Sequence, residues 1–234
     1  MCVADIVIVA KSCTPALREI TQRALDTLRE SEPLLDMHQI LVETWPDAAP
    51  YAGVTTVRPP ADCPLNYNRY LNLGLVAGTS PFIACCNNDL VFEPGWLTSN
   101  LAAFAAQVEI QCLSSKSPLE YGNQPYKPHT RFTRGLHPGR RVMTHLSGWC
   151  YTIRRSLLDK IGPFDETVAF WYSDCLFAAQ LERYGIMNYL NAESHVQHLH
   201  RQSHGTLSGP VRRKVTAGSK KAYMARKLEI LAGG

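Results

Sequence analysis

Apolar residues along this chain fall into short β-branched runs that alternate with stretches of helical period. Asp5-Ile6-Val7-Ile8-Val9-Ala10 is unbroken, the pattern of a strand buried on both faces, and it stops at Lys11-Ser12. Thr14-Pro15 offers a helix start, with Leu17, Ile20, Ala24, Leu25 and Leu28 following at helical spacing as far as Arg29. Residues 39–43 and 54–57 predict two more strands, the second stopped by Pro59-Pro60, and residues 68–77 predict a helix closed by Gly78-Thr79. After a turn at Ser80-Pro81, the apolar run from Phe82 predicts a buried central strand that ends at Asn87-Asn88-Asp89. This alternation implies an α/β fold whose central sheet is mostly parallel and flanked by helices.

Past Asp89 a helix opens at Pro94-Gly95-Trp96 and runs through Leu97, Leu101 and Phe104, with a further strand expected over 110–113. Residues 114–145 carry Pro, Gly, Asn, His and Arg without a sustained period, as expected of a functional loop or a mobile lid. Order returns with a strand over 146–153 and a helix over 156–161. A turn at Phe164-Asp165-Glu166 and a helix over 174–184 come next. Two short strands are expected at 187–190 and 194–196, and a last helix at 219–231.

Composition narrows the class. With 45% hydrophobic and 19% charged residues the chain is a globular protein, and at 234 residues it can bury a large core. No apolar run approaches the ~20 residues of a membrane span. The opening residues lack a secretory signal, and the eight cysteines include no C-x-x-C, so free thiols in a reducing, cytoplasmic setting are expected. The net charge of +4 is uneven: residues 1–110 hold 6 basic and 12 acidic side chains, residues 111–234 hold 18 and 8. The basic half suggests an anionic partner, although solvated lysines would give the same count. The clusters Arg212-Arg213-Lys214, Lys220-Lys221 and Arg226-Lys227 could hold phosphates or simply face solvent.

The chemistry gathers at strand ends. There is no G-x-G-x-x-G after the first strand, no P-loop and no G-x-S-x-G, which disfavours dinucleotide-binding, P-loop and α/β-hydrolase chemistry. Glu43 and Asp89 end predicted strands and Asp174 opens a predicted helix. Ligands of open α/β sheets bind at the carboxyl ends of strands, and a carboxylate beside two amides suits a hard divalent cation with attached phosphates. Asn and Asp also make turns, and Asp174 is a suitable helix cap.

In this order the fragments resemble the GT-A-type, family-2-like glycosyltransferases, over roughly residues 3–205. The matching pieces are Ile6-Val7-Ile8-Val9-Ala10, Ile40-Leu41-Val42-Glu43 with Glu in place of the usual Asp, Asn72-Leu73-Gly74, and Asn87-Asn88-Asp89 as a D-x-D-like motif. They continue with Gly148 to Ile153, Gly162-Pro163-Phe164-Asp165-Glu166 and Trp171-Tyr172-Ser173-Asp174. The last is Val196-x-His198 with Ser203 downstream. The resemblance implies a single GT-A-like domain over 1–234, with a nucleotide-sugar half (1–110), an acceptor half (111–205) and a basic tail and helix (206–234). It implies a metal-dependent, inverting transfer from a nucleoside-diphosphate sugar to an acceptor hydroxyl; the acceptor is left open, a glycan or, given the basic tail, a modified base in nucleic acid. Asp89 and His198 would hold Mn²⁺ or Mg²⁺, His195, His200 and His204 being rival histidines by residue type. Asp174 would be the general base. Ala10, Ser12, Glu43, Asn72, Asn87, Asn88, Gly148 and Trp149 would line the donor site, with Trp171 and Tyr172 available to stack on sugar or acceptor. Two other readings compete: a nucleotidyltransferase, which would want more carboxylates and a basic Gly-rich loop, and a non-catalytic carbohydrate- or nucleic-acid-binding module.

Overall fold

The computed structural model describes residues 2–120, 124–199 and 218–233. Its centre is a nine-stranded mixed sheet flanked by helices. The strands are β1 (Ala4–Ala10), β2 (Met37–Glu43), β3 (Thr55–Val57), β4 (Phe82–Asn87), β5 (Leu90–Phe92), β6 (Cys112–Lys116), β9 (Leu136–Gly139), β10 (Cys150–Arg154) and β11 (Asn188–His198), while β7 (Leu119–Glu120) and β8 (Gln124–Pro125) form a separate hairpin. The order across the sheet is β3-β2-β1-β4-β10-β6-β11-β5, with β9 also on β11. Strands β3, β2, β1, β4, β6 and β11 run one way, and β10, β9 and β5 run against them.

The unbroken apolar run of β1 follows from its two covered faces. Ile6 and Ile8 pack with Ala24, Leu25 and Leu28 of α1 (Pro15–Ser31), while Val7 packs with Tyr70, Leu71 and Leu75 of α2 (Tyr67–Leu75). Thr14 caps α1 by accepting from Leu17 N at 3.3 Å, and Asn66 caps α2 by accepting from Arg69 N at 3.0 Å. Gly74 lets α2 lie on the sheet, since a Cβ there would fall 2.3 Å from Val7 Cγ1. Helix α3 (Trp96–Ala106) is capped from a distance: buried Glu32 accepts from Leu97 N and Thr98 N at 2.6 and 2.9 Å.

The strand expected to end at Asn87-Asn88-Asp89 is β4; Asn88 and Asp89 turn the chain away from it and send β5 to pair with β11. Two expectations are corrected. The two short strands near the end are one, β11, whose register shifts between Asn191 and His195 and so hides its alternation. The aperiodic stretch 114–145 is built rather than featureless. It contains the end of β6, the β7–β8 hairpin, α4 (Lys127–Thr130) and β9, which joins the main sheet through β11. Its elements are two to five residues long, too short to carry a period. Helices α5 (Leu157–Ile161), α6 (Ser173–Arg183) and α7 (Ser219–Ala232) complete the described fold. None of the described helices is long and apolar enough to cross a membrane.

Candidate active site

Sheet register sets the site. Ala10 pairs with Glu43, and Val9 with Asn87, so the carboxyl ends of β2, β1 and β4 form one row. Strand β10 runs against β4 with Cys150 opposite Cys86, and Asn87 N donates to Trp149 O at 2.8 Å. Gly148 and Trp149 therefore lie on the same edge. Strand β5 delivers the last partner: Leu90 stands opposite His198, and Leu199 N donates to Asp89 O at 2.9 Å. Two residues far apart in sequence meet because the chain leaves β4 at Asp89 and re-enters the sheet beside the end of β11.

His198 Nε2 lies 3.2 Å from Asp89 Oδ1, with both side chains largely buried. Tyr67 donates its hydroxyl proton to Asn87 Oδ1 at 2.8 Å, which turns the Asn87 amide N–H groups toward His198 Nε2 at 3.4 Å. Protonated, Nε2 donates to the Asp89 carboxylate; unprotonated, it offers a lone pair beside that carboxylate, an arrangement a cation can join. Adjacent donors on an octahedral ion stand ~3 Å apart when metal–ligand distances are ~2.1 Å, so the pair fits Mn²⁺ or Mg²⁺ with phosphate oxygens and water completing the shell. Among the described residues no cluster of three or more His, Cys, Asp or Glu side chains forms. His195 faces elsewhere, 2.8 Å from Ala192 O and 3.4 Å from Glu93.

Asp174 stands in the first turn of α6, behind Tyr172, whose φ of +71° gives the chain a left-handed turn just before the helix. Its carboxylate is backed against Gly148, where a Cβ would fall 2.6 Å from Asp174 Oδ2, and Oδ1 accepts from Cys175 N at 2.8 Å. Burial pushes the carboxyl up from its ordinary value, the direction that makes a carboxylate a better proton acceptor. Burial raises the Tyr67 hydroxyl well above its usual value, with Cys85, Cys86, Asp89 and Asp174 adding to the rise. Tyr67 was not a sequence candidate, and as an aromatic at the start of a helix it carries no signal beyond core packing.

Glu43 is 1% exposed. Its Oε1 accepts from Ser12 N and Trp45 N at 3.0 and 2.8 Å, whereas Oε2 finds no donor among the described residues. A buried carboxylate oxygen without a protein donor is costly and suits a ligand N–H or hydroxyl. Ser12 Oγ bonds Tyr51 Oη at 2.6 Å, so what Ser12 offers the site is its backbone geometry.

Three predicted donor residues face protein instead. Asn88 donates to Thr21 Oγ1 at 2.8 Å, pinning the turn to α1. Asn72 bonds Phe164 N, Phe164 O and Glu166 Oε1, all within 3.0 Å, and so stitches α2 to the turn that leads to Asp174. Asn66 and Asn68 add bonds to Glu166 O and Asp165 O. Trp149 is 3% exposed and stacks on His198 at 5.1 Å and 17°, forming the wall behind the imidazole. Tyr172 stacks on Tyr223 of α7 at 5.0 Å, while Trp171 remains 40% exposed. His200, Ser203, His204 and the Arg212-Arg213-Lys214 cluster lie outside the described residues. No family model and no curated protein matches the chain.

Proposed function

We propose that the chain is a metal-dependent, inverting glycosyltransferase of GT-A type, moving a hexosyl or deoxyhexosyl group from a nucleoside-diphosphate sugar to an acceptor hydroxyl. The observation that supports this most is the Asp89–His198 pair at 3.2 Å, at the sheet edge that also carries Gly148, against which the buried base candidate Asp174 is backed. Asp89 and His198 would hold Mn²⁺ or Mg²⁺, which when bound supplies a Lewis acid that offsets charge on the departing diphosphate. Glu43 Oε2 would accept from the donor's base or ribose, with Ser12 and Trp45 backbone N–H groups holding Oε1. Asp174 would take the proton of the acceptor hydroxyl as that oxygen attacks the anomeric carbon opposite the leaving group. A single displacement of this kind inverts the anomeric centre, and the glycine at 148 leaves the carboxylate its room.

Thermal unfolding with UDP-, GDP- and dTDP-sugars, each with and without Mn²⁺, tests the reading without an acceptor. One nucleotide class at about a hundred times its Kd should raise Tm by about 5–10 °C in a metal-dependent way. Asp89→Ala should abolish that rise. Absence of a shift with every donor would overturn the proposal.

A further inference from the structure

Between Glu120 and Asp159 the chain contains no acidic residue, yet it carries seven Lys and Arg side chains: Arg154 and Arg155 at the end of β10, and Lys127, Arg131, Arg134, Arg140 and Arg141 on the strap over 124–145. The five on the strap are exposed, and among the described residues none of them forms an ion pair. Outside the strap Arg29, Arg69, Arg155 and Arg226 each have a carboxylate partner, while Arg18, Arg58 and Arg154 donate to backbone carbonyls. The cations of this strap also converge. Burial, then Arg131, His137 and Arg141, holds His145 below its ordinary value, and burial with Lys116 and His145 holds His129 down at about 4. Glu193 touches the strap through Gly135 N at 3.2 Å. Like charge gathered on one segment opposes folding, so its persistence points to an anionic ligand.

The strap is fastened to the candidate active site. Tyr126 and His129 pack against Trp149 at 5.3 and 5.8 Å, and Trp149 is the ring behind His198. The Asp89–His198 pair already suits the donor's diphosphate, whereas five cations between residues 127 and 141 exceed what one diphosphate needs. A second feature favours a nucleic acid: Trp171, three residues before Asp174, is the aromatic among the exposed large apolar side chains of the described residues. Cations without carboxylate partners suit a phosphate backbone, and an exposed indole next to the base candidate suits stacking on a base. An anionic bilayer would call for more inserted apolar side chains than Met143, the exposed large one among the described residues of 124–145.

We infer that the strap is the acceptor-docking surface and that the acceptor is a nucleic acid, single-stranded or locally opened at the reacting nucleotide. This rests on the glycosyltransferase reading and adds the substrate class to it.

The test is fluorescence anisotropy of the full chain with a labelled single-stranded 20-mer over a salt series, beside Mn²⁺-dependent thermal shifts with the nucleotide-sugar panel. Five phosphate contacts predict a slope of log K against log salt near about −3.5. Arg131→Gln with Arg134→Gln, and separately Arg140→Gln with Arg141→Gln, should each make the slope shallower by about 1.4 while leaving the donor-induced shift unchanged. Trp171→Ala should weaken binding about tenfold with the slope retained. No binding at low salt, slopes indifferent to the arginine variants, or binding to phosphatidylserine vesicles without binding to the oligonucleotide would each overturn the inference. The donor shift judges the transferase reading on its own: an intact shift with a failed oligonucleotide result removes the acceptor assignment alone.

Discussion

Replacing Asp174 with Asn is expected to lower kcat by about 10²–10⁴ while leaving the donor-induced thermal shift in place. The amide has the size of the carboxylate, so it fits the space opposite Gly148, and its oxygen can still accept from Cys175 N. What it loses is the capacity to take a proton. The pH profile gives an independent readout. Burial raises the Asp174 carboxyl, so the base is protonated and inactive at the acid end and becomes competent as pH climbs through a value above the ordinary 3.8. The acid limb of kcat/KM in the native protein should therefore lie above the range of a free Asp and be missing from whatever activity the Asn variant retains. Stability carries the same sign: the folded state prefers the neutral acid, so this residue's contribution diminishes as pH rises through the ordinary value toward the raised one. Gly148→Ala should reach the same end by displacement, since its Cβ would fall within 2.6–2.9 Å of Asp174 atoms. There kcat should fall more than KM changes. Full turnover in Asp174→Asn would remove the residue from the base role.

Sequence carried the strand ends well and the side-chain directions poorly. Buried β-branched runs mark β1, β2 and β4 because both faces of the central sheet are covered, and a polar break after such a run marks its carboxyl end. The strand-end positions of Ala10, Glu43, Asn87 and Asp89 were legible for that reason. The directions of the Asn88 and Asn72 side chains were not, because an amide bonded inward to Thr21 or to the turn at Phe164 has the same one-dimensional appearance as one facing outward. The match at Asn72-Leu73-Gly74 has a packing explanation: Asn72 ties α2 to the 164–166 turn, and Gly74 lets the helix touch Val7. Tyr67 shows the complementary gap. Its role depends on where Asn87 and two carboxylates sit in space, and no spacing in the chain encodes that. The elements within 114–145 were not legible for a third reason: they are short, and β9 takes its partner from β11, which is distant in sequence.

The largest stability loss is expected at the opposite end of the sheet, at Asp5. This side chain is 1% exposed at the start of β1. It accepts from Ser80 N at 2.9 Å and from Ser80 Oγ at 2.8 Å, pairs with Arg155 Nη2, and meets His38 Nδ1 at 3.3 Å. Arg155 in turn donates to Ser80 O at 2.7 Å and Leu75 O at 3.2 Å, so one carboxylate joins the entrances of β1 and β4 to the ends of α2 and β10. Asp5→Ala removes the anion and leaves a guanidinium and a backbone N–H facing each other without it. Breaking one side of a buried pair costs about 3–5 kcal/mol, a fall in Tm of about 10 °C for a chain this size. The deficit comes mostly from the stranded cation, which makes the double variant decisive. Asp5→Ala with Arg155→Met should recover a substantial part of the loss in urea unfolding, because it removes the uncompensated charge as well. If the two losses simply add, the carboxylate and the guanidinium are not energetically coupled, and Asp5 holds the sheet through Ser80 alone.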